Sequence, residues 1–596
     1  MKTVPVLSKV KPGAGDDRAP GQLGASSSLD LPTAMESPAG ARLESVSSLK
    51  AMKESVWLSQ HLASSDETKK RAQSGMAAEK QMTFFDCLRR YPKAVGWSLL
   101  LFMTVIMEAY DKLLITDLFA LPAFSEKYGE PVDPLNPATE HEVSPGWQMA
   151  LQNASILSEI AGLLLYGYFT LTIGYRLMML VSLAWFCGAA IPAVLANNLP
   201  VLLLSQVLSG FSWGVIETLA ATYAADVVPS RLRAFVLSNI NTCWLIGQLV
   251  GTGVLHGVGY GSTEWSFRLP FALQWAWVVP LIIGIYFAPE SPWWFVRHDR
   301  PEEARHALSR LSNQDELDIE NAIALMEHTN SVEKALQYGG ATYRDLFRGT
   351  NLRRTEIACV VWACQALSGA TLTSYAPYFF KQAGFDLSTS FTVSIGMYGV
   401  AVAGGILSWG LLSCVGRRKL YLVGLSAAAV LLIAGGAVSV AFDAREGANW
   451  ALGALIVATT LSYNLTIGPV CYVLVAEVPS TRLRLKTVAM ARATYNVVTI
   501  INNILAPRML NPTSWNWGGK TCFVYAGTSI ICLVWCYFRL PETQKLSYLE
   551  LDILFELKAP AAKFGKLQKK LANSPYISAS EEERLTNPWH GWLSYS

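Results

Sequence analysis

Glu108, Asp111, Glu159, Glu217 and Arg492 are ionisable side chains inside long apolar runs of this chain. A charge at membrane depth costs about 3 kcal/mol on insertion scales and more in simulations, so each is a functional candidate. Glu108 and Asp111 are three residues apart, a spacing that puts two side chains on one helical face. Carboxylates suit proton transfer, because desolvation penalises the charged form and lets a buried acid load and lose a proton. The expectation is that Asp111 carries a proton, supported by Glu108 and Glu159. The bland alternative, fixed ion pairs that only hold helices together, stays open. No GxxxxGK[ST] string is present, so ATP-driven chemistry is not expected. No nucleophile, base and orienter can be grouped, and the chain is not expected to be an enzyme.

Such charges need apolar elements to hold them. The chain has 596 residues, 52% hydrophobic and only 16% charged. Soluble proteins average about 25% charged residues. Twelve apolar spans can be counted, near 94–118, 148–171, 177–197, 199–225, 234–257, 269–288, 355–380, 390–414, 419–442, 449–476, 487–508 and 521–539. Most reach the roughly 20 residues that a helix needs to cross about 30 Å of hydrocarbon. The expected fold is therefore an all-α polytopic membrane protein in a lipid bilayer. The net charge of +3 comes with no basic stripe, which excludes nucleic acid as a partner. The ten cysteines, Cys243, Cys359, Cys471 and Cys532 among them, show no metal spacing and no disulfide framework. No metal and no cofactor is expected.

Three polar strings occur twice in the same order. Gly174-Tyr175-Arg176 recurs as Gly416-Arg417-Arg418, and Asp226 to Arg233 recurs as Glu477 to Arg484. Pro289-Glu290-Ser291 recurs as Pro541-Glu542-Thr543. Each string follows the second, fourth or sixth span of its half, which reads as two six-helix halves with a path between them. The expected organisation is a disordered tail at 1–93, a first half at 94–288, a linker at 289–354, a second half at 355–540 and a tail at 541–596. The linker should hold short helices, with Ala304, Leu308 and Leu311 at helical spacing. Lys and Arg crowd the connections that follow even-numbered spans, while loop 119–147 is acidic. By the positive-inside rule both termini face the cytosol.

These strings resemble the sugar-porter branch of the major facilitator superfamily. Closer likeness lies in Tyr110-Asp111, Pro289-Glu290-Ser291-Pro292-Trp293-Trp294, Trp362 to Leu367, Gly468-Pro469-Val470-Cys471-Tyr472 and Asn511 to Gly518. Together they resemble the fungal alpha-glucoside (maltose-type) proton symporters over roughly 80–560. The resemblance implies the major facilitator fold, proton-coupled uptake of an alpha-glucoside by alternating access, a monomer, and a plasma-membrane location. It implies that Glu108, Asp111, Glu159 and Arg492 serve transport. It marks Gln248 and Gln365 as sugar contacts, with Tyr375, Tyr472 and Asn502 as further candidates. Glu217 stands where relatives tend to carry Gln. Ala366 stands where a second Gln is usual, which fits a different or longer sugar. Uptake of a hexose or a beta-linked oligosaccharide, by symport or facilitation, and a non-transporting sugar sensor stay open.

The repeated strings are expected to form an inner latch from Arg176, Asp226, Arg233 and Glu290 in the first half. Arg417, Arg418, Glu477, Arg484 and Glu542 are their counterparts in the second. Charge-assisted pairs of this kind can hold a gate shut and break as it opens. The acid usual before each Gly is absent, with Leu171, Thr172 and Ser413 in its place.

Overall fold

The structure, a computed structural model, describes residues 84–131, 141–258, 263–336, 343–441, 447–480 and 483–544, with parts of 68–82 and 551–565. Residues 1–67, Arg482 and the tail beyond 565 lie outside the described residues, as do the side chains of Leu171, Arg231 and Lys334.

Apolar runs become helices because lipid offers backbone N–H and C=O groups no other partner. Twelve helical stretches among the described residues form the bundle. The first six are α1 (Pro92–Leu118), α2 (Pro145–Ile173), α3 (Tyr175–Leu195), α4 (Leu199–Val227), α5 (Ser230–Val258) and α6 (Trp265–Tyr286). The second six are α7 (Gly349–Ser374), α8 (Leu387–Cys414), α9 (Arg417–Ala441), α10 (Asn449–Glu477), α11 (Arg484–Leu510) and α12 (Cys522–Arg539). Eight are long and apolar enough to cross a membrane on composition alone; α1, α2, α5 and α11 are not among them. Three of these four meet the opposite half, α2 against α11 and α5 against α8, and α1 packs on α4 and α5. Helices shielded by other helices can carry polar groups that lipid would not tolerate.

Three helices are broken, each for a local reason. α7 opens at Ser368 and Gly369, where Gly369 takes a φ of 94° that suits glycine. α10 breaks at Thr466, between Leu465 and Ile467. Pro469 follows three residues later; its ring conflicts with the carbonyl of Leu465 and it has no N–H to give. α6 breaks at Leu273, just after Pro270.

Glycines set the closest approaches. A Cβ on Gly162 would strike the Phe211 carbonyl, and one on Gly210 the Ser155 carbonyl, so α2 and α4 touch backbone to backbone. A Cβ on Gly247 would strike the Ile106 carbonyl, which joins α5 to α1 in the same way.

The apolar core divides unevenly. At the end bearing loop 119–147 one cluster mixes both halves, joining Leu118, Phe124 and Val143 to Tyr375, Phe379 and Leu510. At the opposite end each half keeps its own cluster, and Tyr472 packs against both. The bundle is sealed at the acidic-loop end.

Ordered structure extends beyond the expected boundaries on both sides. A helix spans Phe84–Arg90, and Arg90 bonds Asp318 at 2.9 Å and accepts from the Asn313 N–H at 2.7 Å. The linker holds helices Pro301–Leu311 and Glu316–Leu336 around Val296, Leu308, Ile319 and Ile323. Past Glu542 the segment is not a free tail. Leu551, Leu554, Phe555 and Phe564 are buried against the second half. The Arg354 guanidinium lies 4.6 Å from the Phe555 ring centre, and Arg353 donates to the Ala559 carbonyl at 2.8 Å. Aromatic residues in a charged segment were the signal for this seat.

Candidate functional site

Between the halves, α1, α2, α4 and α11 bring five charged side chains together. On α1, Lys112 stands one turn after Glu108 and bonds its Oε1 at 2.7 Å. The same ammonium bonds Glu159 Oε2 on α2 at 2.8 Å. Glu159 Oε1 accepts from Arg492 of α11 at 3.1 Å and from Asn496 at 3.2 Å. Arg492 also pairs with Glu217 of α4. One carboxylate oxygen from each of Glu108, Glu159 and Glu217 lies within 4.8 Å of the others. Lys112 and Arg492 are the cations that bridge them. Glu108 is fully buried and Glu159 1% exposed, so solvent screens these pairs little.

Three carboxylates against two cations leave one uncompensated negative charge when all are ionised. Glu108 Oε2 is buried and has no hydrogen-bond partner among the described residues. The aromatic wall is close. Arg492 lies 4.8 Å from the Tyr495 ring centre and 5.6 Å from that of Trp362. Trp362 meets Tyr472 edge to face at 5.9 Å.

Asp111 takes no part in this cluster. Its Oδ1 accepts from Gln274 of α6 at 2.5 Å and its Oδ2 from Trp213 of α4 at 2.9 Å. Sequence spacing puts Glu108 and Asp111 on one helical face, and the structure turns them to different neighbours. An α-helix advances about 100° per residue, so Lys112 rather than Asp111 shares the Glu108 stripe. The sequence reading missed Lys112, although Glu followed four residues later by Lys is a recognised helix pair. It also missed Asp117, which is buried on α1 with Thr252 donating to Oδ2 at 2.9 Å.

The expected sugar contacts fall into separate places. Gln248 on α5 is half-buried and has no bond to the protein among the described residues. Gln365 gives its amide to the Gly468 carbonyl at 3.2 Å, beside the break in α10. Asn502 donates to the Ala366 carbonyl at 2.9 Å and to Thr371 Oγ1 at 3.1 Å, filling the gap in α7. As placed, those amides serve broken helices. Tyr375 reaches across the halves and donates to Gln152. It belongs to the seal, where Gln382 also bonds Glu142 at 3.3 Å and Lys381 approaches it at 3.5 Å. Glu217, which stands where relatives tend to carry Gln, is the partner of Arg492.

The repeated strings make two matching clamps at the other end. Glu290 accepts from the backbone N–H groups of Tyr175 and Arg176 at 3.0 Å each. Glu542 accepts from those of Arg417 at 2.8 Å and Arg418 at 3.3 Å. Each acid thus caps the free N–H groups that open α3 or α9, where the helix dipole favours negative charge. Burial pushes the Glu290 carboxyl above its ordinary range, against the pull of these donors. Ser291 bonds Asp226 at 3.1 Å, as Thr543 bonds Glu477 at 2.6 Å. A Cβ on Gly416 would strike the Glu542 carboxylate, and one on Gly174 would stand 2.8 Å from Glu290.

The copies then diverge. Arg417 pairs with Glu477 at 3.5 Å, while its counterpart Tyr175 meets the Tyr223 ring at 6.4 Å. Arg418 donates to the Tyr537 carbonyl at 2.7 Å, and Arg176 lies 5.1 Å from the Tyr286 ring. Arg233 lines a small pocket with Asp226 and Trp293, and Arg484 opens α11. All these bonds stay within one half. The hydroxyls of Thr172 and Ser413, where acids were missed, donate to the carbonyls of Phe169 and Gly410 one turn back, and neither stands in for a carboxylate. Glu542→Ala should lower the stability of the purified protein by about 1–2 kcal/mol, the usual worth of a lost N-terminal cap. Thermal unfolding in detergent reads this, and an unchanged midpoint would mean that the clamp is idle.

A twelve-helix bundle in two halves, sealed at one end and joined by charges at its centre, defines a membrane carrier of the major facilitator fold. Residues 97–555 match the family described as sugar (and other) transporter, and the chain belongs to that family. It is 38% identical over 501 residues to the general alpha-glucoside permease of Saccharomyces cerevisiae, covering 83% of this chain and 80% of the permease. It is 36% identical over 507 residues to the maltose permease MAL31 of the same yeast, covering 84% and 81%. Among solved structures, the proton:xylose symporter XylE bound to 6-bromo-6-deoxy-D-glucose matches with a TM-score of 0.65 and 18% identity, over 78% of this chain and 99% of that one. The inward open xylose transporter XylE from E. coli matches at 0.59, also with 18% identity, over 77% and 99%.

Proposed function

We propose that this chain is a secondary active transporter that takes up an alpha-glucoside such as maltose together with protons, by alternating access. The observation that carries the reading is the buried cluster of Glu108, Lys112, Glu159, Glu217 and Arg492. It ties α11 of one half to α1, α2 and α4 of the other and has one negative charge to spare. A proton on Glu108 Oε2 would neutralise it at the oxygen that lacks a partner. The link across the halves would then respond to proton loading. Asp111 is the second acid of the coupling set. Its partner Gln274 can turn its amide to accept from a protonated carboxyl, so either state keeps its bonds.

Yeast relatives named as alpha-glucoside and maltose permeases support the substrate class. Gln248 and Tyr472 are the first sugar contacts, since the Gln248 amide is half-buried without a bond among the described residues and Tyr472 packs against the clusters of both halves. Gln365, Asn502, Tyr375 and Arg492 would join as the helices move. Basic connections support an orientation with the clamped end and both termini in the cytosol, and the reading takes the protein as a plasma-membrane carrier acting as a monomer. In that orientation the sealed end is the outer gate. The clamps then keep each half rigid while the halves rock.

The deciding experiment is uptake of radiolabelled maltose in a transport-null host, with and without a protonophore. Accumulation should collapse with the protonophore, and uptake insensitive to it would overturn coupling. Gln248→Ala should raise KM for maltose about tenfold, the worth of roughly 1.4 kcal/mol of lost hydrogen bonding, with little change in kcat. An unchanged KM would remove Gln248 from the site.

A further inference from the structure

Lys112 sits where two helices present their acids. Its ammonium is 2.7 Å from Glu108 Oε1 and 2.8 Å from Glu159 Oε2, and 5.2 Å from the Trp244 ring centre on α5. The side chain is 19% exposed, against 0% and 1% for its acid partners. The remaining charged groups of the cluster are Glu217 on α4 and Arg492 on α11, with Tyr472 and Tyr495 beside them. Asp111 on the same helix is turned away to Gln274 and Trp213.

The charge count decides what Lys112 does. With it, the cluster carries one excess negative charge; without it, two. The cost of burying net charge in a low-dielectric region grows with the square of that charge, so two would cost about four times as much as one. Such a cluster escapes the cost by binding protons.

We propose that Lys112 is a tethered cation occupying the place of a second proton, and that it thereby sets how many protons move with each sugar. This rests on the coupling reading above. Glu217 is the opposing term in the same count. Replacing it with Gln leaves two acids against two cations, and removes the need for the proton.

The test is the ratio of proton influx to maltose influx in proteoliposomes, read with a trapped pH dye and radiolabelled maltose. Lys112→Met should raise the ratio by one, and Glu217→Gln should lower it by one. The double variant restores the original count and should return to the wild-type ratio, as should Lys112→Arg. Ratios that do not respond to either charge, or a double variant that departs from the wild type, would overturn the proposal. If Lys112→Met is inactive, Glu217→Gln and the double variant still decide it. Maltose influx without any proton flux in the wild type would remove the coupling reading itself. Wild-type proton flux with charge-insensitive ratios would remove only the role of Lys112.

Discussion

Glu159→Gln is expected to reduce maltose uptake at least about 100-fold at equal protein abundance. Both oxygens of Glu159 are committed, Oε2 to Lys112 and Oε1 to Arg492 and Asn496. An amide in its place must point its NH2 group at one cation or the other. Removing one partner from a buried ion pair costs about 3–5 kcal/mol, because the other partner stays buried without compensation. Each 1.4 kcal/mol is a factor of about ten, so the effect on the working conformations exceeds two decades. Glu159 is also the acid that joins Lys112 of one half to Arg492 of the other. Its loss should therefore uncouple as well as slow. Initial rates normalised to surface protein would test this, and a rate within threefold of wild type would refute the assignment.

Gly214→Ala should be among the most damaging single methyl additions in the first half. A Cβ there would strike the Glu159 carbonyl and stand 2.9 Å from the Leu163 nitrogen. Both are backbone atoms of α2, so no flexible side chain can yield. Overpacking costs about 1–3 kcal/mol and occasionally more, and the upper end is expected here. The displaced elements carry Glu159 itself and Glu217, one turn after Gly214. A lowered unfolding temperature in detergent should thus accompany weakened uptake. Gly96 is the control, because a Cβ there meets nothing within 4 Å and alanine favours the helix. Equal unfolding temperatures for Gly96→Ala and Gly214→Ala would exclude close α2–α4 contact.

The fold was largely legible in the chain. Each of the twelve apolar runs is a helix, with ends shifted by a few residues. The repeated Pro-Glu strings were legible as paired landmarks, but their task was not. They were expected to form an inner latch, with one charged cluster in each half. Within those clusters Glu290 and Glu542 cap α3 and α9 with backbone bonds. A string reports that two sites are alike without saying whether the partner is a side chain or a helix end. The partners of the sugar candidates were hidden for a related reason. Gln365 and Asn502 look free as residues, yet each fills a carbonyl near a break in a helix.

By itself the sequence determined the twelve crossings, their division into two halves and the set of acids worth testing. It could do so because hydrocarbon leaves the backbone no choice but helix, and because an ionisable group in such a run stands out. Only the tertiary structure decided which charges meet. Spacing along one helix reports a shared face, but not the rotation of that face toward its neighbours. That rotation sends Asp111 to Trp213 and Gln274, and brings Glu108 and Lys112 to Glu159, Glu217 and Arg492 on three other helices.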